Sequence, residues 1–325
     1  MRPESDLREV MKAGLDDPIG LQAQRLVNYI TEAFGSSTAA VIHYGSRAQG
    51  SGSRPESAYD FFVIVDDYDT GFRSFASHVQ PRFSARSAIL LSQVLPPSVV
   101  AVTTSAPGQS EPETAKCAVL SIRDLVIACS ANPPDHFTKG RLFQQVQLAW
   151  VRDAASRAEV ENTIIAARLA TFEWGRSYMP AAFDAEIFCR TLLTTSYAGE
   201  VRPETSVRID ELFQAQSDTM LYMYRALLAD LADRGVLRRA GDRYEQTQLP
   251  SRLERVRMRL YFRRSKTRAT LRWGKHVWLY DDWLEYVRHK VARRSGVVIE
   301  LTPRERRWPF LFLWPKVFQY LRSRR

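Results

Sequence analysis

A glycine–serine pair and one aspartate, each beside a short apolar run, are the residues of this sequence best suited to phosphate chemistry. Gly45 and Ser46 follow the apolar run 39–44, and Asp60 stands near the start of the run 59–65. A glycine lets the backbone approach a phosphate closely, and Ser46 offers both a hydroxyl and an amide as donors. Nucleotidyl transfer needs Mg²⁺ to neutralise a triphosphate, and Mg²⁺ prefers oxygen ligands on a rigid element. The pair and the carboxylate together predict a site for such a transfer.

Each of these features alone also has an ordinary structural interpretation. A Gly-Ser pair after a strand is usually only a turn, and an aspartate at a strand edge is usually a cap or a surface ion pair. Here the aspartate follows Ser46 after a single polar loop and lies between Tyr59 and Phe61. A carboxylate in an otherwise apolar strand requires a cation or another partner. The combination therefore favours a functional site.

The segments around these residues predict an α+β domain with a mixed sheet. Helical spacing marks residues 20–34 and 87–95, and apolar, β-rich runs mark 39–44, 59–65, 99–103 and 116–122. Strands that alternate with helices over residues 39–150 are typical of α/β or α+β domains.

After residue 153 the sequence predicts helices. Residues 153–178 and 182–196 each carry an apolar face, and a further amphipathic helix at 221–233 precedes a short hairpin that turns at Gly241–Asp242. A helix followed by a short hairpin resembles a winged-helix module. We also expect a long basic helix at 264–294, with one apolar face formed by Trp273, Val277, Tyr280, Leu284, Val287 and Val291.

Charge is distributed unevenly along the 325 residues. The net charge is +10, but residues 251–325 hold 21 Lys and Arg against 6 Asp and Glu, together with five of the seven Trp. A basic, aromatic-rich region indicates an anionic partner, either a membrane surface or nucleic acid.

The three cysteines are widely spaced and are expected to be reduced thiols rather than zinc ligands. No secretion signal and no apolar run of about 18 residues is found.

The order strand, Gly-Ser, loop and carboxylate-bearing strand resembles the nucleotidyltransferase fold of polymerase-beta type. That superfamily usually has two aspartates separated by one residue, whereas here Ala58 stands two positions before Asp60. The fold class implied is a nucleotidyltransferase-type mixed sheet followed by a helical, winged-helix-like domain and a basic C-terminal helical tail.

A longer stretch, residues 39–250, resembles the mitochondrial-type phosphatidate cytidylyltransferases (the translocator assembly and maintenance protein family), which have a single aspartate at that strand position. Four segments carry the resemblance in the family's order: Tyr44-Gly45-Ser46 with Gln49; Tyr59-Asp60-Phe61 ending at Val65-Asp66-Asp67; Lys116 to Leu125 followed by Lys139-Gly140-Arg141-Leu142; and Ser196 to Arg202. The sequence departs from the family at Arg47, where glycine is usual, and after residue 255, which is longer and more basic.

The resemblance implies an enzyme that converts CTP and phosphatidic acid to CDP-diacylglycerol and pyrophosphate with Mg²⁺. It assigns Asp60 to the metal and, with Lys116, to catalysis. The residues assigned to binding CTP or the lipid phosphate are Tyr44, Gly45, Ser46, Arg47, Arg141, Gly199 and Arg202, of which Gly199 and Arg202 rest on the resemblance alone.

We expect three parts: a nucleotidyltransferase domain at 1–152, a helical domain at 153–262 and a membrane-associating tail at 263–325. The tail places Phe310, Trp314, Val317 and Leu321 on one helical face beside arginines. This predicts a peripheral protein on the cytoplasmic side of a bacterial inner membrane, or on the matrix side of the mitochondrial one, without a nucleic-acid partner.

Two alternatives remain open from the sequence. One is a nucleotidyltransferase that modifies RNA or protein, such as an antitoxin-type adenylyltransferase. The other is a non-catalytic winged-helix protein that binds nucleic acid, with the basic region as its contact surface.

Overall fold

The two apolar runs that flank Gly45 form neighbouring strands at the centre of a mixed sheet. They are β1 (Thr38–Tyr44) and β2 (Tyr59–Val65), which pair antiparallel. All seven residues of β1 are buried, and so are six of the seven in β2, because helices cover both faces of the sheet. The exception in β2 is Asp60, which is partly exposed.

The structure is a computed structural model that describes residues 4–51, 58–79, 83–104, 113–199, 205–279, 302 and 304–305. Arg202, residues 52–57 and 105–112, and the predicted tail after residue 279, apart from residues 302 and 304–305, lie outside these residues. Most of the predicted apolar face from Trp273 to Val291 also lies outside the described residues, and so do the side chains of Trp273 and Val291 themselves.

The five-stranded sheet has the order β3-β4-β2-β1-β5. Its remaining strands are β3 (Ser98–Thr104), β4 (Glu113–Ser121) and β5 (Gln147–Val151). The β2–β4 pair is parallel and the other pairs are antiparallel, so the sheet is mixed. This confirms the predicted α+β class with a mixed sheet.

The first half of the chain also contains helices. They are α1 (Glu4–Val10), α2 (Leu21–Phe34), α3 (Tyr68–Val79), α4 (Ala85–Val94), α5 (Ile122–Cys129), the single turn α6 (Lys139–Leu142) and α7 (Ala154–Leu169). Side chains of α5 and α7 pack on the sheet face that carries Ile42 and Phe62. Helix α2 contacts β1 to β4, and Gln22 in it accepts a hydrogen bond from the Tyr59 hydroxyl, on the opposite face.

The second half is mainly helical. It contains α8 (Thr171–Gly175), β6 (Ala182–Phe183), α9 (Ala185–Ala198), α10 (Ser206–Ala215), α11 (Ser217–Asp233), β7 (Leu237–Ala240), β8 (Arg243–Gln246) and α12 (Arg252–Leu279). The predicted hairpin is present as β7 and β8, and β6 adds a third strand to it. By its contacts the chain divides into two units, Met1–His276 and Val277–Arg325. The domain limits expected at residues 152 and 262 stay predictions.

Several predicted elements differ at their ends. The helix predicted at 153–178 stops at Leu169, and the one predicted at 182–196 begins only at Ala185. Residues 182 and 183 pair with β8, and Asp184 then caps α9 by accepting the amide of Ile187. Helix α12 begins at Arg252 rather than at 264. A reciprocal pair of bonds between Ser251 and Glu254, a capping box, fixes that start.

Arg168 of α7 is fully buried and joins segments that are distant in sequence. Its guanidinium donates to the carbonyls of Met11, Ala13, Leu142 and Gln144. Burial lowers the pKa of this guanidinium to about 10, and no carboxylate is among these acceptors. Arg168 therefore fixes the end of α6 against α7 and the N-terminal segment.

We expect Arg168→Met to lower the free energy of unfolding by about 3 kcal/mol or more, because four backbone carbonyls, three of them in buried hydrogen bonds, lose their donor. The midpoint of denaturant unfolding measures this loss. Arg234→Met is the control: Arg234 is largely exposed and forms a surface ion pair with Asp230, so its loss should change the midpoint little. Equal midpoints for the two variants would contradict the role assigned to Arg168.

Candidate active site

Gly45 and Asp60 are in contact, as their sequence pattern predicts. Gly45 ends β1 with φ of +81°, a left-handed conformation that favours glycine. A Cβ atom placed on it would lie 2.9 Å from Oδ2 of Asp60. The turn is short because the amide of Gln49 donates to the Gly45 carbonyl (3.1 Å) and that of Ser51 donates to the Ser46 carbonyl (3.0 Å). The backbone thus approaches the carboxylate where a side chain would not fit.

Lys116 lies beside Asp60 on the next strand. In the parallel β2–β4 ladder Asp60 is paired with Lys116, and in the antiparallel β1–β2 ladder it is paired with Tyr44. Partners in a ladder share a sheet face, so the three side chains lie on the same face as Phe62. Lys116 is exposed. The sheet register therefore places an exposed lysine beside Asp60, and its positive charge acts on the carboxyl.

The electrostatics of Asp60 reflect these neighbours. Burial of the Asp60 carboxyl raises its pKa above the ordinary value, and the positive charges of Lys116 and Arg141 oppose part of that rise. Loss of hydration disfavours a charged group, whereas nearby cations favour it. The carboxylate is thus incompletely compensated and would gain from an additional cation.

Arg141 approaches from α6, where two aromatic rings hold its guanidinium. The guanidinium carbon lies 5.4 Å from the ring centroid of Phe137 and 5.1 Å from that of Tyr197. Tyr197 belongs to the Ser196–Arg202 motif, and Ser196 in the same motif donates to the Gly140 carbonyl (3.4 Å). Two motifs that are far apart in sequence therefore meet at Arg141.

The remaining predicted residues lie around this centre in different ways. Tyr44 is buried and stacks on Phe62, with ring centroids 4.4 Å apart. The guanidinium of Arg47 lies 4.3 Å over the ring of Tyr59, whose side chain is on the sheet face opposite Asp60. Gly199 ends α9, where an added Cβ would lie 3.0 Å from the ring of Phe262. The contacts described for Tyr44 and Gly199 are thus packing contacts, whereas Arg47 also donates a hydrogen bond to the Tyr59 hydroxyl (3.1 Å).

Two acidic residues of the second motif lie away from the centre. Asp66 follows the other end of β2 and pairs with Arg152 (2.5 Å), and Asp67 caps α3 through the amide of Thr70 (2.8 Å). The length of strand β2, at about 3.3 Å per residue, separates them from Asp60. Neither belongs to the site around Asp60.

His43 is a packing residue of β1. Its ring lies against Tyr59 and Phe61, and its Nδ1 is 2.7 Å from Oε1 of Gln147. Burial lowers the pKa of His43 to about 4, so the ring is neutral near pH 7. His43 is therefore part of the core rather than of the site around Asp60.

Residues 135–137 also border the site, although the sequence does not mark them. Asp135 is buried against arginines of α12, and Phe137 lies between Arg141 and Phe62. Most of their partners come from segments that are distant in sequence, so no local pattern identifies these residues.

No family model matches this chain, and no curated protein matches it. Its function must therefore be inferred from the arrangement of the site.

Proposed function

We propose that the chain is a Mg²⁺-dependent nucleotidyltransferase that transfers CMP from CTP to phosphatidic acid. One observation carries the proposal: the glycine turn at Gly45 touches the carboxylate of Asp60, with Lys116 and Arg141 close to it. A close backbone turn, a carboxylate and two cations are the groups that bind a triphosphate and its metal ion.

Asp60 is the residue proposed to hold the metal. Among the described residues no three His, Cys, Asp or Glu side chains form a metal-binding group. Asp60 would thus share the ion with phosphate and water oxygens, the ligands that Mg²⁺ usually keeps at nucleotide sites. The incompletely compensated charge of Asp60 fits this role. When bound, Mg²⁺ supplies positive charge that neutralises the triphosphate.

The other residues are proposed to bind and orient the two phosphates. Amides of the Gly45–Ser46 turn approach the triphosphate, and Lys116 and Arg141 balance the charge that builds on the leaving pyrophosphate. An oxygen of the phosphatidate phosphate forms the new bond to the α-phosphorus of CTP, and the bond from the α-phosphorus to the bridging oxygen breaks. The attacking phosphate is already an anion near pH 7, so positioning rather than a strong general base drives the step.

The exposed face of α12 supports a lipid as the acceptor. Leu253, Val256 and Leu260, spaced three and four residues apart, are 78%, 46% and 58% exposed. Residues 252–279 contain ten Lys and Arg and one acidic residue, Glu254. An apolar helical face flanked by cations suits an anionic membrane surface better than nucleic acid, because apolar side chains enter the lipid interface. In the part of the chain that the structure describes, no helix is long and apolar enough to cross a membrane.

The aspartate substitutions Val256→Asp and Leu260→Asp, introduced together, are expected to weaken binding to phosphatidate-containing vesicles at least about tenfold. Co-sedimentation with vesicles measures this. The matched control replaces Leu90 and Val94 with Asp. They lie on α4 four residues apart and are 62% and 71% exposed, and their replacement should leave binding unchanged. Equal loss in both double variants would refute a specific role of α12.

An acceptor comparison tests the substrate assignment. The full chain is incubated with labelled CTP and Mg²⁺ in the presence of phosphatidate vesicles, phosphatidylcholine vesicles, RNA or protein. We expect label in the lipid phase with phosphatidate alone. Label in RNA or protein would instead support a nucleotidyltransferase of the other acceptor class.

A further inference from the structure

Helix α12 holds residues 135–137 through buried polar contacts. Asp135 is 6% exposed and accepts from Nε of Arg268 (2.9 Å) and from Nη1 and Nη2 of Arg272 (2.7 and 3.2 Å). It also accepts from the amide of Phe137 (3.0 Å), and Arg272 donates further to the Pro96 carbonyl (3.1 Å). The two guanidinium groups outweigh the effect of burial and keep the pKa of Asp135 below its usual value. The carboxylate is thus a charged, fully bonded anchor.

His136 adds a second connection between the same segments. Its amide donates to Oγ of Ser265 (3.0 Å), and its Nδ1 is 3.1 Å from the Tyr261 hydroxyl. Its ring packs edge-on against Trp174, with centroids 4.6 Å apart. Four side chains of α12, spaced three or four residues apart, therefore hold two consecutive residues of this segment.

The ring of Phe137 connects these contacts of α12 with the candidate site. Its ring lies 4.8 Å from the guanidinium carbon of Arg272 on α12 and 5.4 Å from that of Arg141. It also meets the ring of Phe62, two residues after Asp60 on the same sheet face, at 6.0 Å. The ring thus lies in contact with α12, α6 and the strand of Asp60.

The turn α6 has little freedom to move independently of residues 135–137. The amide of Gly140 donates to the His136 carbonyl (2.7 Å), and the amide of Leu142 donates to the Thr138 carbonyl (3.0 Å). A Cβ on Gly140 would lie 2.5 Å from Oγ of Ser196 and 2.8 Å from the ring of His136. Because this packing is tight, a displacement of residues 135–137 would displace Arg141 as well.

We propose that Asp135, clamped by Arg268 and Arg272 of α12, is a positioning residue that holds Arg141 beside Asp60 through the ring of Phe137. The inference rests on the proposed function for the role of Arg141, but the contacts of Asp135 with Arg268 and Arg272 do not depend on that function. It makes α12 a required part of the site, although the helix begins at Arg252, far along the chain from Asp60.

Asp135→Asn tests the inference because asparagine keeps the shape and loses the charge. In the ligand-free full chain, we expect the amides of Gly140 and Leu142 to exchange with solvent deuterons at least about tenfold faster than in the wild type. With CTP, Mg²⁺ and phosphatidate, we expect KM for CTP to rise about tenfold, as loss of a supporting contact typically does, with a smaller change in kcat. The matched control is Asp153→Asn, which also removes a carboxylate bonded to an arginine and a backbone amide, beside the distant Arg152.

The double variant Asp135→Asn, Arg141→Met separates positioning from general stabilisation. If Asp135 acts through Arg141, the double variant should have the KM of Arg141→Met alone. Additive effects, or exchange at α6 equal to that of the wild type, would overturn the inference. Should Asp135→Asn fail to fold, Arg272→Lys replaces it, since lysine keeps the charge but lacks the planar fork. A wild type that forms no product refutes the proposed function. The exchange comparison then tests by itself whether Asp135 holds α6 in place.

Discussion

Asp60→Asn is expected to reduce nucleotidyl transfer at least about a hundredfold while leaving the ligand-free fold as stable as the wild type or more stable. The folded protein raises the pKa of this carboxyl, so ionisation of Asp60 costs folding free energy as pH rises above the ordinary value of 3.8. Asparagine removes that cost near pH 7 and also removes the carboxylate proposed to hold the metal ion. Initial rates of product formation and the thermal midpoint of the ligand-free protein measure the two effects.

The matched control for this variant is Asp66→Asn, at the other end of the same strand. Asp66 forms an ion pair with Arg152 and lies away from the glycine turn, so its loss should leave activity near the wild-type value and should not raise stability. Full activity in Asp60→Asn would contradict the proposed site. A large loss of stability in Asp60→Asn would instead indicate that the carboxylate is structural.

Gly45→Ala is expected to lower activity at least about tenfold because a Cβ at that position displaces the Asp60 carboxylate. The added Cβ would lie 2.9 Å from Oδ2 of Asp60, closer than real Cβ contacts allow. The alanine would also have to adopt a backbone conformation with φ of +81°. That conformation alone costs a non-glycine residue about 1–2 kcal/mol. The kcat and KM for CTP, measured beside the thermal midpoint, separate the two effects.

Gly50→Ala is the control for backbone strain. Gly50 has φ of +67°, and no atom lies within 4 Å of an added Cβ. Both variants should therefore lose similar stability, but only Gly45→Ala should lose most of its activity. Equal losses of activity would mean that strain in the turn, rather than contact with Asp60, explains the effect.

The strands that bring Gly45 and Asp60 together could be predicted from the sequence because local patterns determine them. The apolar runs beside Gly45 and Asp60 identify β1 and β2 closely, and the antiparallel pairing of these two consecutive strands brings the end of β1 beside the start of β2. The position of Lys116 next to Asp60 depends on a parallel pairing between segments that are far apart in sequence. Periodicity can identify both strands but not the register between them.

The role of α12 could not be predicted because hydropathy treats a cation as a surface residue. Arg272 and Lys275 are 9% and 7% exposed. The ammonium of Lys275 donates to the carbonyls of Leu91, Leu95 and Pro97, near the end of α4. These acceptors belong to a distant segment, so their number and direction follow only from the tertiary fold. The Ser251–Glu254 capping box was a local signal for the start of this helix.

Transfer of label from CTP tests the central claim most directly. The full chain is incubated with Mg²⁺ and phosphatidate vesicles, with CTP labelled at either the α- or the γ-phosphorus. We expect α-label to enter the lipid phase and γ-label to appear in pyrophosphate, in equal amounts, and we expect Asp60→Asn or omission of Mg²⁺ to abolish both. Absence of α-label from the lipid phase, or transfer of γ-label to the lipid, would contradict the proposed reaction.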